Sequence, residues 1–179
     1  MSKLYSIPYE SPIGTLLLGV SENVLHFVEY ADSSKSATKI QSILTFTNSS
    51  LVESFSPYHK EVIFQLNEYF TGERTVFLLL CSFIGTEFQK SVWKCLQTIT
   101  YGKTLSYKEQ SLQMNKPLAI RAIASTNAKN CINIVVPCHR VIGGNGSLTG
   151  YSGGLWRKRW LLDFESEYSN TPQDQLNFL

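Results

Sequence analysis

One short stretch constrains this chain more than any other. A largely apolar run, Ile132 to Val136, is followed at once by Pro137, Cys138 and His139. The run has the length of a buried strand, and proline ends a strand because it has no backbone N–H to donate. We therefore predict a strand over 132–136 that delivers a thiol and an imidazole to its end, just before a loop rich in glycine.

The composition fits a folded protein with no membrane span. A chain of 179 residues that is 43% hydrophobic can bury a core, in one domain or two small ones. Its longest uninterrupted apolar run, Val76 to Cys81, is far shorter than the roughly 20 residues that cross a bilayer. Proline and glutamate interrupt the N-terminus before a secretory signal can form. We expect no membrane partner and a cytoplasmic location, or a nuclear one in a eukaryote.

The spacing of the cysteines shows neither a metal-binding motif nor a redox motif. No CxxC motif occurs, so neither a zinc knuckle nor a thioredoxin-type site is visible. The three histidines are far apart in the sequence. We predict a reducing compartment, no metal ion and no cofactor. The four cysteines are Cys81, Cys95, Cys131 and Cys138.

Charge is distributed unevenly along the chain. Residues 1–85 hold five Lys or Arg against eight Asp or Glu, whereas residues 86–162 hold eleven against two. A basic half is typical of a surface that binds a polyanion, because neutralising phosphates releases counterions. A solvated basic surface without a partner would show the same counts. The eleven are Lys90, Lys94, Lys103, Lys108, Lys116, Arg121, Lys129, Arg140, Arg157, Lys158 and Arg159.

The pattern of apolar residues and turns predicts an α+β protein in two parts. Residues 1–84 form a small structural domain: a strand meander over Leu4 to Tyr30, a polar helix or loop over 31–50, and a helix over His59 to Phe70. No reactive side chains cluster in this part, which we interpret as scaffold. Residues 85–179 form a mostly helical domain in which the short strand leads to the active-site loop.

Two short helices in the second part predict a helix-turn-helix. Ser106 and Glu109 have the spacing of a capping box, so a helix is predicted over 106–113, and Pro117 suits the first turn of another over 118–127. The second helix of such a pair normally enters a DNA groove. It is rich in small residues, and Arg121 is its one charge, which can replace a displaced base. An ordinary alanine-rich helix with Arg121 in solvent is the alternative.

Six segments of the chain form one ordered set: GTEFQKSVW (85–93), YGKTLSY (101–107), the RAIAS helix (121–125), Asn130, PCHRVIGGNG (137–146) and GYSGGLWRKRWLLDFE (150–165). Taken together, they resemble the O6-alkylguanine-DNA alkyltransferases. The resemblance carries specific motifs over roughly residues 85–165 and only a general pattern before them, which implies an RNase H-like fold for the N-terminal part.

The resemblance implies a reaction and a role for each site residue. Cys138 would attack the alkyl carbon on guanine O6, His139 would take the thiol proton through a bridging water, and Glu165 would orient the imidazole. A thiol pKa lowered by about two units would make most of the cysteine reactive near neutral pH. Tyr107 would donate a proton to the guanine, and Asn130 would link the turn after the DNA helix to the site. Substrate contacts would come from Val141, Tyr151 and Ser152, and DNA contacts from Arg121, Ala119, Ala122, Ser125 and Asn127.

The implied partner is double-stranded DNA that contains O6-alkylguanine, or O4-alkylthymine as a further substrate, bound by a monomer. Transfer would be irreversible and stoichiometric, because an alkyl thioether is a poor leaving group. Two other functions fit parts of the pattern. A lesion-binding protein without chemistry would not need Cys138, and a Cys-His-Glu hydrolase would not need the basic half or the Arg121 helix.

Overall fold

The computed structural model describes residues 2–169, so the last ten residues of the predicted C-terminal domain, 170–179, lie outside the described part. Within 2–169, no helix is both long and apolar enough to cross a membrane. The strands and helices occur along the chain in this order: β1 Ser2–Ser11, β2 Gly14–Ser21, β3 Val24–Tyr30, α1 Ser36–Thr47, β4 Ser49–Glu53, α2 His59–Phe70, α3 Glu87–Leu96, β5 Leu105–Ser106, α4 Tyr107–Gln113, α5 Ile120–Asn127, β6 Val141–Ile142 and α6 Leu155–Ser169.

The predicted strand meander is confirmed. β1, β2 and β3 pair antiparallel in sequence order, and the tight turn between β1 and β2 places Gly14 at φ 101°, which glycine adopts readily. The chain then crosses through α1 and returns as β4, which pairs parallel with β1. The sheet order is β3-β2-β1-β4, so β3 lies at one edge.

Apolar side chains on both faces of this sheet build the core. The smaller cluster lies under α1, where Ile40 and Ile43 pack with Leu4 and Phe27. The larger cluster draws residues from both predicted parts of the chain. This core does not separate the two parts, so the division at residue 84 stays a prediction. Members of the larger cluster include Leu16, Leu18, Val28, Val62, Leu66, Tyr69, Trp93, Leu96, Ile132, Val136, Cys138 and Leu161.

The helix-turn-helix is present, formed by α4 and α5. Ser106 and Glu109 close a capping box at the start of α4, as their spacing predicts. The second helix begins at Ile120 rather than at residue 118, because the backbone first makes a turn in which Ala119 N–H donates to the Lys116 carbonyl at 2.9 Å. The fold as a whole is α+β, with the strands first and most helices after them.

The predicted strand over 132–136 is wrong, although its apolar residues are buried. The segment folds into a tight turn around the side chain of Asn130, which accepts a hydrogen bond from Ile132 N–H at 2.9 Å and donates one to the Val136 carbonyl at 2.8 Å. Val136 N–H also bonds the Ile132 carbonyl, and Ile134 has φ 71°. The side-chain amide thus satisfies backbone groups that a strand would leave to a neighbour.

This turn, residues 130–137, is attached to the edge of the main sheet. Val28 on β3 donates from its N–H to the Cys131 carbonyl at 2.9 Å, and the Val28 carbonyl accepts from both the backbone and the side chain of Asn133. The N-terminal sheet therefore positions the segment that leads into Cys138.

Candidate active site and nucleic-acid interface

Cys138 begins a single turn of 3-10 helix, Cys138–Arg140, directly after the Asn130 turn. Its side chain is 5% exposed, and the side-chain N–H of Asn130 lies 3.2 Å from its sulfur. Burial raises the pKa of this thiol, and the Asn130 hydrogen bond and the charges of Lys39 and Lys158 offset only part of that rise. The expectation of a lowered pKa is wrong for the free protein, because the pocket removes the thiol from water. Cys138 is therefore held as a thiol.

His139 directly follows Cys138, and its imidazole contacts Glu165. Its Nε2 lies 2.7 Å from a Glu165 oxygen, with both side chains fully buried. Burial lowers the pKa of His139 even though Glu165 acts to raise it, so the resting imidazole is neutral. Nε2 then carries the hydrogen that faces the carboxylate, and Nδ1 is the basic nitrogen. Within residues 2–169, Nδ1 has no hydrogen-bond partner.

Glu165 is the hub of a buried network that the sequence did not reveal in full. Arg140 contacts both carboxylate oxygens, at 2.8 and 3.0 Å, and the Tyr69 hydroxyl donates at 2.8 Å. The backbone N–H of Gly102 donates at 3.2 Å. Burial alone would raise the pKa of Glu165, but His139 and Arg140 outweigh it and hold the pKa well below its usual range. The carboxylate is therefore ionised, and it fixes the imidazole.

Of the residues predicted to surround the substrate, Tyr107 lies on α4, whereas the others lie on the segment after Cys138: Val141, Tyr151 and Ser152. The Tyr107 hydroxyl donates to the Thr149 carbonyl at 3.4 Å, and the Tyr151 hydroxyl lies 2.8 Å from that of Tyr30. Lys158, which is fully buried, donates to the carbonyls of Val141 and Thr149 at 2.5 and 2.8 Å. Lys158 was not predicted as a site residue. Its two hydrogen bonds nevertheless connect both ends of the loop over 141–149 to α6.

The N-terminal half also reaches the surroundings of the site through one side chain, that of Lys39. Lys39 on α1 donates to the Asn130 carbonyl at 2.6 Å and lies 3.4 Å from the Ser152 hydroxyl. Its charge is paired with buried Glu29 at 2.8 Å. Burial raises the pKa of Glu29 to about 7, against the effect of Lys39. Nothing in the sequence pattern of α1 marks Lys39, because its partners lie far along the chain.

The exposed face of α5 carries most of the residues predicted to contact DNA. Arg121, Ala122 and Ser125 are exposed, and Ala119 is half-buried. Asn127 does not share this face: it is 4% exposed, and its amide pairs with that of Gln110 on α4. The expectation that Asn127 faces a groove is wrong, because its side chain joins the two helices of the helix-turn-helix.

Not all of the basic half faces solvent. Arg140, Arg157 and Lys158 are buried and bond carboxylates or carbonyls around the site. The other eight of the eleven basic residues are exposed or half-buried. Among residues 2–169, no group of three or more histidine, cysteine or acidic side chains is arranged to hold a metal ion.

Both parts of the chain match models of one protein class. Residues 87–167 match the DNA-binding domain of 6-O-methylguanine DNA methyltransferase, and residues 4–80 match its ribonuclease-like domain. A methylated-DNA–protein-cysteine methyltransferase of Methanosarcina acetivorans is 43% identical over 162 residues, which is 90% of this chain and 98% of that protein. This chain belongs to the methylated-DNA–protein-cysteine methyltransferase family.

Further relatives and solved structures agree. The Mycobacterium leprae protein of the same name is 42% identical over 87% of this chain and 88% of its own. The crystal structure of Mycobacterium tuberculosis OGT in complex with DNA superposes with a TM-score of 0.77 at 39% identity, covering 93% of this chain and 94% of that one. The O6-methylguanine-DNA methyltransferase of Pyrococcus kodakaraensis gives a TM-score of 0.67 at 25% identity, covering 90% and 98%.

Proposed function

We propose that this protein repairs DNA by direct reversal, moving the alkyl group from O6 of guanine to its own Cys138. The observation that carries the proposal is one arrangement: a buried thiol next to His139, whose Nε2 is bonded to an ionised Glu165. A nucleophile, a base and an orienting carboxylate in series are what transfer to sulfur requires. The same chain exposes Arg121 on α5, and this helix provides a surface that binds DNA.

The transfer step balances with groups that this chain supplies. The Cys138 thiol gives its proton to Nδ1 of His139 through a bridging water, and the sulfur lone pair forms a bond to the alkyl carbon. The bond between that carbon and O6 breaks, and its electron pair passes into the guanine ring. Tyr107 then donates its phenolic proton to guanine N3, so no full negative charge remains on the leaving base. Glu165 stabilises the imidazolium that forms.

Recognition of the lesion is divided between the pocket and the helix. Backbone groups of Tyr151 and Ser152 bond O6, and the carbonyls of Cys138 and Val141 accept from the exocyclic amine of the guanine. A base inside a duplex must first be extruded, at a cost of a few kcal/mol, and Arg121 fills the space it leaves. Lysines of the basic half neutralise phosphates, so selectivity comes from the pocket rather than from the flanking sequence.

Each molecule acts once. An alkyl thioether is a poor leaving group, so Cys138 stays alkylated and the protein is consumed by the reaction. We propose that it acts as a monomer in a compartment that holds DNA and keeps thiols reduced: the cytoplasm, or the nucleus in a eukaryote. The reason is that Cys138 must remain a free thiol before it meets its substrate.

Intact-protein mass spectrometry after mixing with a duplex that carries one O6-methylguanine tests the proposal. We expect one added methyl group, mapped to Cys138 and saturating at one equivalent of DNA. Cys138→Ala should bind the duplex without any change in mass, whereas Cys95→Ala, at a half-buried thiol on α3, should react as the wild type does. Binding of the lesion by the wild type without a mass change would instead establish a lesion-recognition protein.

A further inference from the structure

The tip of the helix-turn-helix carries an apolar pair that the proposed chemistry does not use. Leu118 is 100% exposed, and Ile120 is 36% exposed. They flank Ala119 and lie immediately before Arg121 in the sequence. Single exposed apolar side chains are common on protein surfaces, so exposure alone carries little weight. Their position beside Arg121 is what distinguishes them.

The backbone that holds Leu118 is well ordered by hydrogen bonds. Lys116 N–H donates to the Ser111 carbonyl at 2.8 Å, and the Lys116 carbonyl accepts from Ala119 at 2.9 Å. Asn115 completes the turn with φ 55°. Leu118 is therefore presented outward from a fixed turn, and its exposure does not come from a loose loop.

The surroundings of the pair match one kind of partner. Lys108 and Lys116 are exposed nearby in the sequence, and neither α4 nor α5 has an exposed carboxylate apart from Glu109. A basic surface that ends in an aliphatic tip complements a DNA groove, where phosphates line the edges and sugars and base edges form a less polar floor. The pair lies within residues 87–167, which match a DNA-binding domain.

We infer that Leu118 and Ile120 form an apolar wedge that packs on deoxyribose and base edges of duplex DNA beside the site that Arg121 enters. The wedge adds DNA-contacting residues to the proposed function, and the inference rests on that function. Minor-groove proteins use aliphatic side chains in this way to offset the cost of unstacking a base step. The wedge adds affinity for the distorted duplex without adding a phosphate contact.

The salt dependence of binding separates a wedge from a general basic surface. A phosphate contact changes the slope of log affinity against log salt by about 0.9, whereas an apolar contact releases no counterion. For Leu118→Ala we expect about tenfold weaker binding to a duplex with one O6-methylguanine, equivalent to about 1.4 kcal/mol, at an unchanged slope. Leu118→Met should restore most of the affinity, and Lys116→Ala should lower the slope.

A matched control and a second readout complete the test. Phe46→Ala, at a side chain that is 66% exposed on α1, should leave duplex affinity unchanged. Methyl transfer from the free base O6-methylguanine bypasses the duplex, so Leu118→Ala should perform it at the wild-type rate. Duplex affinity of Leu118→Ala within twofold of the wild type would overturn the wedge, while a wild type that transfers no methyl group to Cys138 would overturn the proposed function instead.

Discussion

The ammonium group of Lys39 on α1 donates a 2.6 Å hydrogen bond to the main-chain carbonyl of Asn130, whose side chain contacts the sulfur of Cys138. One lysine thus connects the N-terminal half to the turn that carries the nucleophile. The same ammonium is paired with Glu29, a carboxyl group that is 1% exposed. The position of the thiol therefore depends on a residue about 100 positions away in the chain.

Lys39→Met should slow methyl transfer and destabilise the protein. Removing one partner of a buried pair costs about 3 kcal/mol, and a small displacement of the Asn130 turn should reduce the transfer rate about tenfold or more. The pKa of Glu29, about 7 with Lys39 present, should rise further. Single-turnover kinetics and thermal unfolding measure both effects. Lys39→Arg should retain most activity, and Lys35→Met, at an exposed position before α1, should change neither quantity.

Glu165→Gln should weaken both the fold and the reaction. The amide cannot balance the charge of Arg140, which would stay buried without a counterion, at about 3–5 kcal/mol of the free energy of unfolding. The neutral amide would also fail to stabilise an imidazolium at His139. Denaturant unfolding and single-turnover transfer measure the two losses. Glu167→Gln, on the exposed side of the same helix, is the matched control, and equal behaviour of the two variants would contradict the role of Glu165 as the hub.

The rate of transfer should be flat with pH around neutrality and fall only on the acid side. The pKa of His139 is lowered from its usual 6.5 by burial, so the base is already neutral above about pH 6.5. Protonation of Nδ1 at lower pH removes the proton acceptor, and the single-turnover rate then declines. A rate that instead rose about tenfold per pH unit from 6.5 to 8 would mean that solvent, and not His139, takes the thiol proton.

Arg121→Ala should separate access to the base from the chemistry on it. In this variant no side chain fills the space that the extruded guanine leaves in the base stack. Extruding the guanine then costs a few kcal/mol that nothing offsets, so transfer from a duplex should slow about 100-fold. Transfer from the free base should be unchanged. Arg159→Ala, at an exposed position on α6, serves as the control of equal charge. Equal slowing on both substrates would show that Arg121 supports the pocket rather than the displaced base.

Local signals predicted much of this structure. The capping box at Ser106, the meander of the first three strands and the helix over His59–Phe70 all follow from patterns within a few residues. The Cys138 and His139 pair was visible for the same reason. Such features depend on neighbours in the sequence, and a single sequence shows them directly.

Features that depend on distant contacts were missed or wrong. The apolar run over 132–136 has the composition of a strand, but the Asn130 side chain bonds the backbone groups that a strand would share with a neighbour. Burial of Cys138 raises its pKa, which no local motif could reveal. Tyr69 reaches Glu165 across 96 residues of sequence, and no pattern around Tyr69 marks it. Tertiary packing decided each of these points.

The attachment of the Asn130 turn to the edge of β3 has a consequence for surveys of genomes. A gene can keep every residue of the PCHR segment (137–140) and still lose the strand on which the turn depends, through an in-frame deletion early in its reading frame. Its product would carry the hallmark and lack a working site. Inventories of repair capacity compiled from the signature alone would therefore overcount, and they should require Val28 and its strand as well.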